Sequence, residues 1–192
     1  MARPNEFDRD DVLERAMELF WARGYEATSI GDLVEHVGIG RQSLYDTFGD
    51  KHALYVAALD RYRDKHGTGV VEALAGDGPI RARLREVMRI VAERAGERPS
   101  KSCMLLCAVA ERGPDDPDVR KRFGTNTSAF ERALTARLGH AREAGELHSK
   151  QDDRGLARYL INAMYGLQLL ARGGSDRKHL DQVIDVTLSI LG

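Results

Sequence analysis

Apolar residues recur at three- and four-residue spacing along most of the chain, and no strand-like alternation of useful length appears, which predicts an all-α protein. About nine helices are expected, near 8–23, 30–36, 41–47, 51–66, 79–97, 102–112, 117–144, 153–172 and 176–191. In the first, Val12, Leu13, Ala16, Met17 and Phe20 share a face, the acids Asp8 to Asp11 suit the positive end of the helix dipole, and Gly24 offers a left-handed stop. Ser29 with Asp32 three residues later approximates a capping box for the second helix, whose Ile30, Leu33, Val34 and Val37 face inward.

Gly38-Ile39-Gly40 then breaks the helix, and a third one of only about seven residues follows at once. Its buried side needs no more than Leu44 and Phe48, so Arg41, Gln42, Ser43, Tyr45 and Asp46 point largely outward. A helix that short is unstable alone and persists only by packing on its two predecessors, which is the design of a helix-turn-helix unit. Asp50 can cap a fourth helix with the stripe Leu54, Tyr55, Ala58, Leu59 and Tyr62. The glycine-rich piece 67–78 reads as a linker, and Pro79 suits the first position of the next helix. The expected division is therefore a DNA-binding headpiece over 1–50, a connecting helix over 51–66 and a helical body over 67–192.

Composition narrows this picture. Hydrophobic residues at 42% and charged residues at 31% describe a globular chain rather than a disordered one. No run approaches the roughly 20 apolar residues of a membrane span, and the start MARPNEFDRDD lacks the apolar core of a signal peptide, so a cytoplasmic protein without membrane contact is expected. The net charge of −1 gives no global attraction to nucleic acid, and residues 1–52 hold six Lys or Arg against eleven Asp or Glu. Any DNA contact must come from a few well-placed groups. No phosphate-cradling glycine loop, paired helix histidines or Ser-His-Asp order is visible, so no enzyme and no cofactor are expected. A helical protein-binding adaptor and, with less to support it, a helical enzyme are the alternatives these residues leave open.

The stretch from Thr28 to Tyr55, TSIGDLVEHVGIGRQSLYDTFGDKHALY, resembles the TetR family of bacterial regulators. The likeness lies in a Thr before the second helix, the Gly-Ile turn, a basic residue opening the third helix, then Ser-Leu-Tyr, Phe, Asp-Lys and Ala-Leu at the family's spacing. Leu19, Phe20, Gly24 and Tyr25 add its Leu-Phe-x-x-x-Gly-Tyr ending of the first helix. About 50 residues carry the pattern, and the rest agrees in length and helix layout. The resemblance implies a homodimer that docks two recognition helices in successive major grooves of a palindromic operator, usually as a repressor released by a small-molecule effector.

A docked third helix would bring Arg41, Gln42 and Ser43 to base edges, with Gln42 suited to adenine and Arg41 to guanine or phosphate. Tyr45 stands where the family sets an aromatic against the backbone or a thymine methyl, and Thr28, Ser29 and Lys51 are expected to clamp phosphates. Asp46 departs from the family. A carboxylate facing phosphate repels, so it is expected to point aside or to accept from a cytosine amine.

For the body, the resemblance implies that the last two helices pair with their twofold mates, through Leu156, Leu160, Ala163, Leu167, Leu180, Val183, Ile184 and Leu188. An effector pocket is expected among Tyr55, Tyr62, Val87, Val91, Met104, Cys107, Phe123, Phe130, Tyr159 and Asn162, of which Asn162 needs a polar partner if buried. Cys103, in the first turn of its expected helix and near Arg98 and Lys101, is a candidate thiol sensor. Cys103 and Cys107, four apart, are poorly placed for a disulfide, and no third ligand is signalled for a metal.

Overall fold

A computed structural model describes residues 7–67, 69–76, 78–97 and 102–192. Its order is α1 (Arg9–Arg23), α2 (Ile30–Val37), α3 (Arg41–Phe48), α4 (Lys51–His66), α5 (Gly69–Ala75), α6 (Ile80–Glu97), α7 (Met104–Arg112), α8 (Pro117–Glu143), α9 (Asp153–Arg172) and α10 (Arg177–Leu188), closed by a 3₁₀ turn over Ser189–Leu191. Among the described residues there is no strand. The all-α reading holds, and most helix ends fall within two residues of expectation because side chains set them. Asp8, Ser29, Asp50, Asp116, Asp152 and Asp176 each accept a backbone N–H at the start of a helix.

One expectation fails. The piece 67–78 is not a plain linker, since Gly69–Ala75 is helical, with Thr68 and Asp77 outside the described residues. Its composition explains why. Leu74 is fully buried in an apolar cluster and Val70 and Ala73 pack against it, so burial holds about two turns of helix in this glycine-flanked piece.

The chain forms two compact units, Met1–His66 with Met104–Arg122 and Gly67–Cys103 with Phe123–Gly192. In the first, α4 packs along α1 and α7 packs on α4. Phe20, Met17, Leu33, Leu44, Leu54, Tyr55 and Leu59 make its core. The α4 stripe is therefore core material of this unit, and Met104–Arg122 folds with residues far earlier in the sequence. This grouping differs from the expected 1–50 and 67–192 division. In the second unit α6 packs along α9 and α10 covers both, around Leu84, Met88, Leu134, Leu138, Leu160, Met164, Leu167 and Leu188.

Candidate nucleic-acid interface

The interface starts from a glycine. Gly38 ends α2 in the left-handed conformation (φ 77°, ψ 21°), which a side chain would resist, and its N–H bonds the Val34 carbonyl. The chain can then turn back within three residues, and α3 begins at Arg41. Leu44 and Phe48 anchor α3 inward, with the Arg9 guanidinium 5.0 Å over the Phe48 ring. Burying a leucine contributes roughly 1.5–3 kcal/mol, enough to hold a helix that has no side-chain N-cap. Arg41, Gln42, Tyr45 and Asp46 are left exposed, Tyr45 at 37%, while Ser43 is half-buried.

Asp46 does point aside. Its Oδ1 accepts a hydrogen bond from Gln42 Nε2 at 2.8 Å, one turn earlier on the same helix. Among the expected phosphate clamps, Ser29 is exposed but its Oγ accepts from Asp32 N–H at 3.1 Å in a complete capping box. Lys51 lies with Nζ 4.1 Å over the Tyr25 ring. Thr28 does not fit its expected role. It is fully buried, and its Oγ1 donates to the Gly24 carbonyl at 2.6 Å, so the hydroxyl shapes the α1–α2 turn and is not offered to a phosphate.

The same turn is held from a direction the sequence does not signal. Glu111, at the end of α7, accepts from the backbone N–H groups of Tyr25 (3.0 Å) and Glu26 (2.9 Å). Its neighbour Arg112 pairs with Glu26 and lies 4.6 Å over the Tyr25 ring. Asp116 Oδ2 takes His52 Nε2 at 2.9 Å, while its Oδ1 caps α8. Burial alone would push the Asp116 carboxyl up, but the Val119 N–H and His52 outweigh it and hold the group below its ordinary value. His52, Asp116 and Asp118 come within 4.8 Å of one another, the spacing of a metal-ligand set, although Arg112 and Arg122 stand beside these carboxylates. These residues lie on elements more than 60 positions apart, so only the fold could reveal them.

The second unit separates core from surface along α9 and α10. Leu156, Leu160, Leu167, Ile184 and Leu188, expected at a dimer face, are fully buried within this chain, because each faces the core shared with α6. Ala163, Leu180 and Val183 are half-buried. The apolar groups left outside are Tyr159 (43% exposed), Leu169 (55%) and Val186 (70%).

The expected pocket residues divide between the two units. Tyr55, Tyr62, Met104 and Cys107 belong to the first unit and Val87, Val91, Phe123, Phe130, Tyr159 and Asn162 to the second. Tyr55, Tyr62, Val87 and Met104 are buried core, and Val91 and Phe130 pack against the second core. Phe123 lies against Tyr165, centroids 5.5 Å apart. Tyr159 and Asn162 are exposed, so Asn162 is not the buried amide that would demand a partner. An open groove of about 280 Å³ lies between α6 and α10 beside Arg89, Ala92, Leu180 and Asp181, and none of the ten residues lines it.

Cys103 immediately precedes α7 rather than sitting in its first turn, and its N–H donates to Gln168 Oε1 at 3.3 Å. Cys107 is within α7. Both are half-buried and neither is in a disulfide. Arg98 and Lys101, the expected cations, lie outside the described residues.

Comparison with known proteins agrees with this layout. Residues 12–58 match the profile of bacterial regulatory proteins of the tetR family, and residues 81–187 match the tetracyclin repressor-like C-terminal domain. Over the whole of both chains the protein is 37% identical to an uncharacterized HTH-type transcriptional regulator of Bacillus subtilis, YezE. It is 30% identical, over 98% of its own length and 90% of the relative's, to the HTH-type transcriptional repressor ComR of Escherichia coli. Among solved structures, a cysteine mutant of the TetR family transcriptional regulator CifR complexed with 26-base-pair operator DNA superposes with a TM-score of 0.84 at 29% identity, covering all of both chains. Reduced NemR of E. coli gives the same TM-score at 20% identity over 96% of each chain, a likeness of fold. A headpiece that offers one short polar helix, a helical body behind it and matches spanning both together place the chain in the TetR family of helix-turn-helix transcriptional regulators.

Proposed function

We propose that the protein is a homodimeric repressor of transcription, working in the bacterial cytoplasm, that holds a palindromic operator through α3 and releases it on an internal signal. In this reading residues 1–50 contact DNA, α4 connects, and the body over 67–192 dimerises and senses. The observation that carries it is the face of α3. Leu44 and Phe48 are spent on packing, so Arg41, Gln42 and Tyr45 are left on the exposed side, with Gln42 bonded only to Asp46 of the same helix, and stand ready for a groove. Because the headpiece is acidic overall, recognition rests on these groups and on Ser29 and Lys51 for phosphates, not on a diffuse basic field.

The exposed Tyr159, Leu169 and Val186, with the half-buried Ala163, Leu180 and Val183, form the face offered to a second copy. The signal is a small molecule received by the body or modification of a thiol, Cys103 first. Either acts by binding or favouring one of two body conformations unequally, and a preference of about 1–3 kcal/mol changes operator affinity by a useful factor.

Selection of bound duplexes from a random pool tests the reading. A near-palindromic consensus bound in a strongly salt-dependent way is the expected result, and indifference to every duplex at low ionic strength would end it. In the same protein, alkylation at Cys103 should outpace that at Cys107 and loosen the selected duplex. Equal, slow labelling of both removes the thiol branch and leaves the small molecule.

A further inference from the structure

We propose that Glu111, which lies outside the helix-turn-helix and 85 and 86 residues from the two backbone groups it holds, is a positioning residue for DNA recognition, because its carboxylate ties the α1–α2 turn to the end of α7. The inference deepens the regulatory reading above and rests on it for its consequence, though not for the contact itself.

A count of the turn's backbone donors makes the case. Gly24 N–H is taken by Phe20, Thr28 N–H by Tyr25 and Ser29 N–H by the Asp32 carboxylate, all of them local partners. Tyr25 and Glu26 N–H point the other way, and both go to Glu111, one to each carboxylate oxygen. The approach is close enough that a Cβ on Gly24 would stand 2.9 Å from Glu111 Oε2 and would push the carboxylate aside, and the φ of +84° at Gly24 favours glycine independently.

The contact is one of a set. Arg112 grips the same turn by pairing with Glu26 and covering Tyr25, and Asp116 reaches His52 in the first turn of α4. Three successive anchors at the α7–α8 corner thus hold the two places where α1 leads to α2 and α3 leads to α4. Arg23 and Asp32, 3.1 Å apart, bridge the turn itself, so a shift of the turn carries α2, and with it α3. On the same face α7 bears Cys107, one helical turn before Glu111. Burial, then the nearby Glu111 and Cys107, push the buried Tyr55 phenol of α4 above its ordinary value, as expected if both residues face it. A displacement of α7 therefore reaches the DNA-reading helix through Glu111 by a chain of direct contacts.

Glu111→Ala and Glu111→Gln test this in the full-length protein. Both remove the same charge, and only glutamine keeps an acceptor oxygen. In Glu111→Ala, amide hydrogen exchange at Tyr25 and Glu26 should quicken by roughly tenfold, with the amides of α9 and α10 unchanged. The Kd for the selected operator duplex should rise by roughly fivefold while that for a scrambled duplex stays put, since charge-driven binding needs no fixed pose. Glu111→Gln should fall between alanine and wild type. Unchanged exchange at the two amides, an unchanged operator Kd, or equal losses on operator and scrambled DNA would each overturn the proposal. If the wild-type protein binds no duplex at all, the regulatory reading fails by itself, and the exchange measurement still decides whether Glu111 holds the turn.

Discussion

Helices α3 and α9 are built alike on one side and unlike on the other. Each buries an apolar stripe, Leu44 with Phe48 in α3 and Leu156, Leu160, Met164 and Leu167 in α9. On the outward side α3 shows an arginine, a glutamine, a tyrosine and an aspartate, while α9 shows Tyr159, Asn162, Gly166 and Leu169. A polar face with one aromatic suits hydrated base edges and phosphates, which take hydrogen bonds and stacking. A face of leucine, glycine and tyrosine with one asparagine suits another protein surface, where close approach and displaced water contribute. The buried sides fix where each helix lies, and the outer sides divide the labour.

The sharpest break in that parallel comes from the side the helices share. Leu44→Ala should cost about 2–5 kcal/mol, as for a fully buried leucine, and Leu160→Ala should cost a similar amount. Denaturant unfolding measures both. The two differ in consequence, since losing Leu44 frees the short helix that would enter the groove and should abolish operator binding under conditions where the body is still folded. Operator binding that survives Leu44→Ala would mean α3 is not the reading element.

Next in size is the outer face of the body. Leu169→Glu combined with Val186→Glu adds charge where apolar groups are exposed and should leave monomer stability within about 0.5 kcal/mol, as for most surface changes. Sedimentation should show the mass falling from twice 21.4 kDa to 21.4 kDa at micromolar protein. Operator affinity should fall with it, because two half-sites are then bound independently. A dimer that persists moves the interface elsewhere.

A smaller loss belongs to Tyr45→Ala. Tyr45 is 37% exposed and not part of the buried core, so thermal unfolding should be nearly unchanged while a mobility-shift assay shows affinity down by roughly tenfold, the scale of one lost stacking or phosphate contact. Unchanged affinity removes Tyr45 from the interface.

The ease of reading these features from sequence follows the range of the interactions behind them. Ser29 with Asp32, the Gly38 turn and the Leu44–Phe48 pair are local, set within four residues, and their pattern states the headpiece outright. The failures are all matters of which neighbour a face meets. Thr28 carries the same hydroxyl whether it faces a phosphate or the Gly24 carbonyl, and only the turn's path decides. Leu160 and Leu169 are identical in type and nine apart on α9, yet one is core and the other surface, because the stripe that meets α6 is narrower than the run of apolar letters. Gly69–Ala75 was masked by its flanking glycines until Leu74 found a core to enter. Glu111 has no periodic signature at all, being a single carboxylate that matters through two backbone groups 85 and 86 positions away.

The finest distinction on α3 concerns Asp46, and here charge and geometry act in opposite directions. Asp46 accepts one of the two amide protons of Gln42, leaving the second proton and Oε1 of Gln42 for adenine N7 and N6. Fixing the amide plane before docking spares part of the rotamer entropy that a free glutamine loses on binding, up to about 2 kcal/mol in full. The same carboxylate, exposed on a helix that approaches phosphates, repels them. Asp46→Ala should therefore strengthen binding to scrambled duplex while weakening the preference for adenine at the position Gln42 meets, each by a few-fold. Competition among four duplexes that differ only at that base pair measures the second effect, and binding to the scrambled duplex measures the first. If affinity for all duplexes rises equally and the preference stays, Asp46 acts through charge alone; if the preference falls with it, the intrahelical bond is part of how α3 reads sequence.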